Sequence, residues 1–162
     1  MIRGVHHVAI NTSNLERLVA FYRDVVGFEL LGGIGGWEND PRFDAITGLK
    51  GSAARAAIMR SANIYLELFE YRRPAARNAD ALLPSDRGYT HICLDVDDAR
   101  AEHQRLSRNG MTFHGEPVEL GGGAIITIYG RDPDGNVLEL QQLSAEQKMS
   151  LHNLEGCAAA GR

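Results

Sequence analysis

Val5-His6-His7-Val8-Ala9-Ile10 and Thr90-His91-Ile92-Cys93-Leu94-Asp95-Val96 decide how this chain is read, because each opens a stretch that follows one plan to its end. Both runs alternate around a histidine, as half-buried strands do. After the first, Ser13 with Glu16 three residues on is a capping box. It predicts a helix carried by Leu15, Leu18, Val19 and Tyr22 and ended at Gly27. After the second, Asp97 stands as N-cap and Gly110 as the stop. From His7 to Gly27 is 20 residues and from His91 to Gly110 is 19. Each copy closes on the same tripeptide, Leu66-Glu67-Leu68 and Leu138-Glu139-Leu140. A repeat of this kind fixes the architecture before any motif is interpreted.

Further strand-like runs at 28–31, 54–59, 111–114 and 124–129 complete strand-helix-strand-strand-strand in each copy, eight strands and two helices in all. The expected organisation is a first module at 1–71, a joint at 72–87 rich in proline and small residues, a second module at 88–143 and a tail at 144–162. The first module carries an insertion, 32–51, in which Asp40 caps a short helix from Pro41 to just before Gly48. Trp37, Phe43 and Ile46 in that insertion would form an apolar lid or cover a sheet edge. Gly32-Gly33-Ile34-Gly35-Gly36 lacks the Lys-Ser/Thr of a phosphate loop and reads as a flexible hinge, as does Gly121-Gly122-Gly123.

Composition narrows the partners. At 162 residues with 44% hydrophobic and 23% charged residues, the chain holds enough apolar side chain for a core. Fifteen arginines and two lysines are scattered and the net charge is −4, so no basic block awaits nucleic acid. No apolar run is long enough for a membrane span or a signal peptide, so a cytoplasmic protein is expected. Cys93 and Cys157, with no CxxC spacing, fit a reducing compartment and argue against a sulfur-ligated zinc site.

Alternation then sorts the faces. Val8 and Ile10 oppose His7, Leu66 and Leu68 oppose Glu67, and the second copy repeats this around His91 and Glu139. The aliphatic faces need the two helices as cover, which leaves the histidines and glutamates on the other, concave face. A carboxylate between leucines in a strand is costly without a partner, and here it occurs twice at matching positions. One divalent cation held by His7, Glu67, His91 and Glu139 would explain both. Two imidazoles and two carboxylates suit Ni, Co, Mn, Fe, Mg or Zn, with positions left open for substrate. His6, His103, His114 and His152 have no repeat partner and are read as structural or surface residues. Thr127 and Tyr129 share a face on the pocket side. Arg55 is a candidate for receiving an anionic group.

These residues resemble the vicinal oxygen chelate superfamily, which includes glyoxalase I, methylmalonyl-CoA epimerase, extradiol dioxygenases and bleomycin-resistance proteins. The motifs are His6-His7-Val8-Ala9-Ile10, Phe21-Tyr22-Arg23-Asp24-Val25-Val26-Gly27-Phe28, Leu66-Glu67-Leu68, His91-Ile92 and the run from Arg131-Asp132-Pro133-Asp134-Gly135-Asn136 through Glu139-Leu140. The resemblance implies an α+β fold of paired βαβββ modules, a curved mixed sheet around a metal cleft, and a homodimer. It implies proton transfer next to a carbonyl, giving isomerase, epimerase or lyase chemistry, with Glu139 the first choice of base and Glu67 the second. Tyr129, Arg55, Trp37 and Phe43 are the expected substrate contacts. Asn11 and Tyr71 stand where glutathione-dependent members are similar in carrying an arginine and an asparagine, which counts against a glutathione thioester. The runner-up is ring cleavage of a catechol-like compound on Fe(II), with Tyr129 as acid or base. A small-ligand sequestering protein is the third reading.

Overall fold

The two histidine-bearing runs form the strands β1 (His7–Asn11) and β5 (His91–Asp95), each alternating between exposed and half-buried positions. In this computed structural model residues 2–77 and 81–154 are described. The chain divides into two compact units, Met1–Asn78 and Ala79–Arg162. The middle of the expected joint and the end of the expected tail lie outside the described residues. Among the described residues no helix is long and apolar enough to cross a membrane.

In the first unit, β1 leads into α1 (Leu15–Ala20), which continues as a π-helical stretch over Phe21–Val26. The wider turn lets Phe21 join Leu15, Leu18, Val19 and Tyr22 in the core. Gly27, at φ 94, ends it where a left-handed residue is needed. β2 (Glu29–Glu38), α2 (Pro41–Thr47), β3 (Ala53–Arg60) and β4 (Tyr65–Arg73) follow. The sheet order is β1-β4-β3-β2, with β1 parallel to β4 and the other pairs antiparallel. Leu66 and Leu68 are buried beside Ala57 and Met59 on the face that α1 covers. Burying each leucine stabilises the unit by about 1.5–3 kcal/mol.

The second unit repeats the plan with α3 (Ala99–Ser107), β6 (Thr112–Phe113), β7 (Val118–Leu120), β8 (Ile125–Arg131) and β9 (Val137–Leu143). Its order is β5-β9-β8-β6, with β7 also paired to β8. The fourth strand is thus split, and nine strands rather than eight are described. Gly115 and Pro117 fall at the break, and proline offers no N–H to a ladder. Leu138 and Leu140 are buried on the face that α3 covers.

Three expectations about local structure are corrected. Asn14, not Ser13, caps α1, its Oδ1 accepting from the Arg17 N–H at 3.0 Å. Asp98, not Asp97, caps α3 by accepting from Arg100 and Ala101. In both helices the cap sits directly before the first buried residue, Leu15 or Ala99, so burial sets the helix start. The glycine run at 32–36 is not a hinge but part of β2, where the pairing with β3 slips between Leu31 and Gly35. Gly36 must lack a side chain there, since a Cβ would meet the Ala54 carbonyl oxygen at 2.3 Å. Gly121–Gly123 form a tight turn between β7 and β8, all three at positive φ. The helix at Pro41–Thr47, with Asp40 as cap and Gly48 in the left-handed region, forms as its turn chemistry dictates.

Candidate functional site

Small neighbours make room for each glutamate. In the parallel pairing of β1 with β4, Ala9 lies beside Glu67, and in that of β5 with β9, Cys93 lies beside Glu139. The histidine two residues earlier then leans toward the carboxylate. His7 Nε2 is 3.4 Å from Glu67 Oε2, and His91 Nε2 is 3.2 Å from Glu139 Oε2. The second unit's pair is the more enclosed, with side chains 31% and 11% exposed against 42% and 25%.

The other ring nitrogen of each histidine is also engaged. His7 Nδ1 is 3.0 Å from His6 Nδ1, and the His6 ring stacks on Tyr65 with centroids 4.9 Å apart. His91 Nδ1 is 3.0 Å from the Thr90 hydroxyl. The residue preceding each ligand-type histidine therefore orients it, and His6 has a repeat partner after all in Thr90. When Nδ1 carries the proton, an imidazole lone pair and a carboxylate oxygen face one another, two acceptors that need a cation or a proton between them. In each unit the pair offers an imidazole nitrogen and a carboxylate, donor types that divalent ions take. Among the described residues no three His, Cys, Asp or Glu side chains gather into a metal-holding group; each unit supplies a pair.

Glu139 has further partners. The Thr127 hydroxyl donates to its Oε1 at 2.6 Å and Gln141 Nε2 lies 3.3 Å away, leaving Oε2 for His91. Asp132 accepts from the N–H groups of Asp134 and Asn136 at 2.9 Å each, a turn that sets β8 against β9 and puts Tyr129 opposite Glu139. The Tyr129 ring lies 4.9 Å from that of His91. Burial, then the Glu139 charge, raises the Tyr129 hydroxyl above its ordinary value, so it stays a donor. The Cys93 thiol is pushed up to about 12 by burial first and by Glu139 next, which keeps it a protonated neighbour rather than a nucleophile.

Trp37 and Phe43 come together, stacked at 4.3 Å, with Phe69 and Tyr71 edge-on to Trp37 at 5.9 and 5.7 Å. Trp37 stands on β2 opposite Ala54, and cross-strand register puts Tyr71 and Phe69 on the face that bears Glu67. An aromatic wall thus runs along β4 away from the glutamate, over a floor of Ala54 and Ala56. Alternation outward from Glu67 would have found Phe69 and Tyr71. Ile46, expected in the lid, is 78% exposed and takes no part. Arg55 stands on the other face of the sheet, where it pairs with Glu16 and with Glu70 at 3.2 Å. Glu70 also accepts from the Leu15 N–H, so this charge cluster braces the start of α1 rather than facing the His7/Glu67 side.

The insertion is tied down by Asp44, which accepts from the Gly51 and Ser52 N–H groups and from the Ser52 hydroxyl, itself receiving Trp37 Nε1–H at 2.9 Å. The Ser52 hydroxyl first, then these backbone donors, hold the Asp44 carboxyl below its usual range. A depressed carboxylate contributes stability that is present above its unfolded value near about 3.9 and lost as pH falls through the folded one. Trp37 is the single tryptophan. Its emission is therefore expected to shift red on acidification below about pH 4, and Asp44→Ala protein should show the shifted emission at neutral pH. A fluorescence titration of the two proteins checks both.

The comparisons with known proteins agree with this architecture. Residues 4–140 match the family model described as Glyoxalase/Bleomycin resistance protein/Dioxygenase superfamily. The chain is 34% identical over 155 residues to 2-epi-5-epi-valiolone epimerase of an Actinomyces species, covering 88% of this chain and 80% of the other. It is 27% identical over 137 residues to the lactoylglutathione lyase of Salmonella typhimurium, covering 83% and 88%. The crystal structure of a glyoxalase family protein from Bacillus cereus superposes with a TM-score of 0.78 at 22% identity, covering 88% of this chain and 95% of that one. Two repeated modules, each with a histidine on its opening strand facing a glutamate on its closing strand, and a family match across most of the length place this chain in the glyoxalase/bleomycin resistance protein/dioxygenase superfamily.

Proposed function

We propose that the protein is a metal-dependent enzyme that moves a proton at the carbon next to a carbonyl of a small metabolite, with His7, Glu67, His91 and Glu139 as the ligands of one divalent ion. The carrying observation is the pair built twice, His Nε2 against Glu Oε2, with the remaining nitrogen of each ring already engaged. The similarity to an epimerase at 34% identity supports epimerisation within this class. When bound, the ion supplies positive charge that offsets the negative charge developing on the carbonyl oxygen as the neighbouring carbon ionises. A carboxylate of one pair accepts the proton. The protonated Tyr129 hydroxyl donates to substrate oxygen. The wall of Trp37, Phe43, Phe69 and Tyr71, on the Glu67 face of its own sheet, is the apolar surface that the first unit offers to a carbon skeleton.

Deuterium exchange tests this directly. Protein loaded with Co(II), Mn(II), Ni(II) or Zn(II) is mixed in D2O with hydroxyacetone, dihydroxyacetone and 2-hydroxycyclohexanone, and loss of the hydrogens next to the carbonyl is followed by NMR. Exchange that stops when the ion is chelated is the expected result. Oxygen uptake with catechol by the iron-loaded protein would move the assignment to ring cleavage. Binding of these ketones without exchange would move it to a sequestering protein.

A further inference from the structure

The first unit also holds a cavity of about 310 Å³, whose lining includes Gly36 and Glu38 from β2, Ala53 and Arg55 from β3, and Arg72 from β4. Cross-strand register sets Gly36 opposite Arg55 and Glu38 opposite Ala53. These four share the face on which Arg55 meets Glu16 and Glu70, the face away from Glu67. Gly36 has no side chain and Ala53 only a methyl group, so space stays open between the longer neighbours. The pairing of β3 with β4 slips here, Ala53 lying opposite Arg73 and Ala54 opposite Tyr71. Arg72 is the extra residue, and a bulge of this kind re-aims a side chain. Its guanidinium makes no hydrogen bond or ion pair among the described residues. Its charge is nevertheless felt on both sides of the cavity. Arg55 first, and Arg72 as well, hold the Glu16 carboxyl below its usual range, and Arg73 first, and Arg72 as well, do so for Glu38.

Glu16 shows what this place accepts. Its carboxylate sits in the Arg55 fork, one oxygen receiving Nη1–H at 3.1 Å and the other Nη2–H. Glu70 also receives Arg55 Nη1–H, at 3.2 Å, and the Leu15 N–H, so it is committed on two sides. Glu16 is 60% exposed, and an ion pair made by so exposed a side chain is weak enough to be exchanged. The planar guanidinium fork matches the oxygens of a carboxylate or a phosphate. We propose that the cavity binds a compact oxyanion, the phosphate or carboxylate end of a small metabolite, which takes the place of Glu16 between Arg55 and Arg72. The exchange keeps Arg55 paired throughout and gives Arg72 the partner that it lacks. The volume lies at the lower end of small-molecule pockets, which limits the guest to a small molecule. Arg55 thereby takes the anion-receiving role that the sequence suggested, on the helix-bearing face rather than beside Glu67.

Equilibrium dialysis of the full chain against labelled inorganic phosphate and, separately, malonate, at a constant ionic strength of about 0.15 M, tests the site. Saturable uptake of at least one anion is expected, and the tighter of the two names the group that the site prefers. Arg72→Ala should weaken uptake about 10-fold or more, because a charge-assisted contact is lost. Glu16→Gln removes the competing carboxylate and should tighten uptake roughly threefold. Glu29→Gln alters the net charge equally, beside Arg60 and outside the cavity lining, and should leave affinity unchanged. Because the cavity and Glu67 occupy opposite faces of the sheet, uptake before and after chelation of divalent ions should coincide. No uptake of either anion, wild-type affinity in Arg72→Ala, or equal tightening in Glu16→Gln and Glu29→Gln would overturn the site. Uptake lost on chelation would put the anion on a bound ion and overturn it as well, while leaving the metal-dependent reading standing.

Discussion

His7→Ala protein purified without added metal is expected to carry on the order of a tenth or less of the divalent ion found with the wild type, and His91→Ala the same. Each histidine supplies the ring nitrogen that faces the carboxylate of its own unit. In the first unit its removal leaves Glu67 without the ring at 3.4 Å, and in the second it leaves Glu139 without the ring at 3.2 Å. Losing an outer partner costs a metal site about 10–100-fold, and losing a ligand costs at least that. The residues just before the histidines give a graded control. His6→Ala and Thr90→Val remove only the contact to Nδ1, so each should cost about 10-fold while leaving Nε2 in place. Elemental analysis of the purified proteins, followed by equilibrium binding of Co(II), reads the whole series. Equal metal content in wild type, His7→Ala and His91→Ala would sink the proposed ligand set.

The pairing of histidine with glutamate was legible because alternation has only two outcomes, and burial of Leu66, Leu68, Leu138 and Leu140 leaves Glu67 and Glu139 one face to occupy. Helix starts were read one residue early. Ser13 and Asp97 are good caps by type, but Asn14 and Asp98 adjoin the first buried position, a fact of packing that propensity does not contain. The glycine run of β2 was misread for a related reason. Glycine marks freedom in an isolated chain, whereas Gly36 is dictated by how close the Ala54 carbonyl comes from the neighbouring strand. Arg55 shares a face with Ala57 and Met59, as alternation requires, yet which face bore the helix decided its role, and that settled it with Glu16 and Glu70. His6 was passed over because the search was for a second histidine. The repeat preserves the task, contact with Nδ1, and lets the residue change to Thr90.

One position along from each glutamate the expected outcome is opposite in kind. Leu68→Ala and Leu140→Ala are each expected to lower the stability of their unit by about 2–5 kcal/mol, since both leucines are fully buried and truncation leaves a cavity as well as lost transfer energy. For a unit of this size such a loss lowers the melting temperature by roughly 10 °C or more. The equivalence of the two positions in the repeat, each on the central face beneath its helix, makes the two losses similar. Neither leucine faces the histidine side of its sheet. Below the lowered melting temperature both variants should therefore bind Co(II) within about threefold of wild type, whereas Glu139→Gln should bind poorly while melting within a few degrees of it. Calorimetry together with Co(II) titration of the three proteins separates these outcomes. If a leucine variant melts like wild type, or loses the ion while still folded, the assignment of faces that underlies the site is wrong. Adjacent side chains on one strand would then not be carrying the two separate duties, packing beneath the helix and facing the histidine, that a period of two imposes on them.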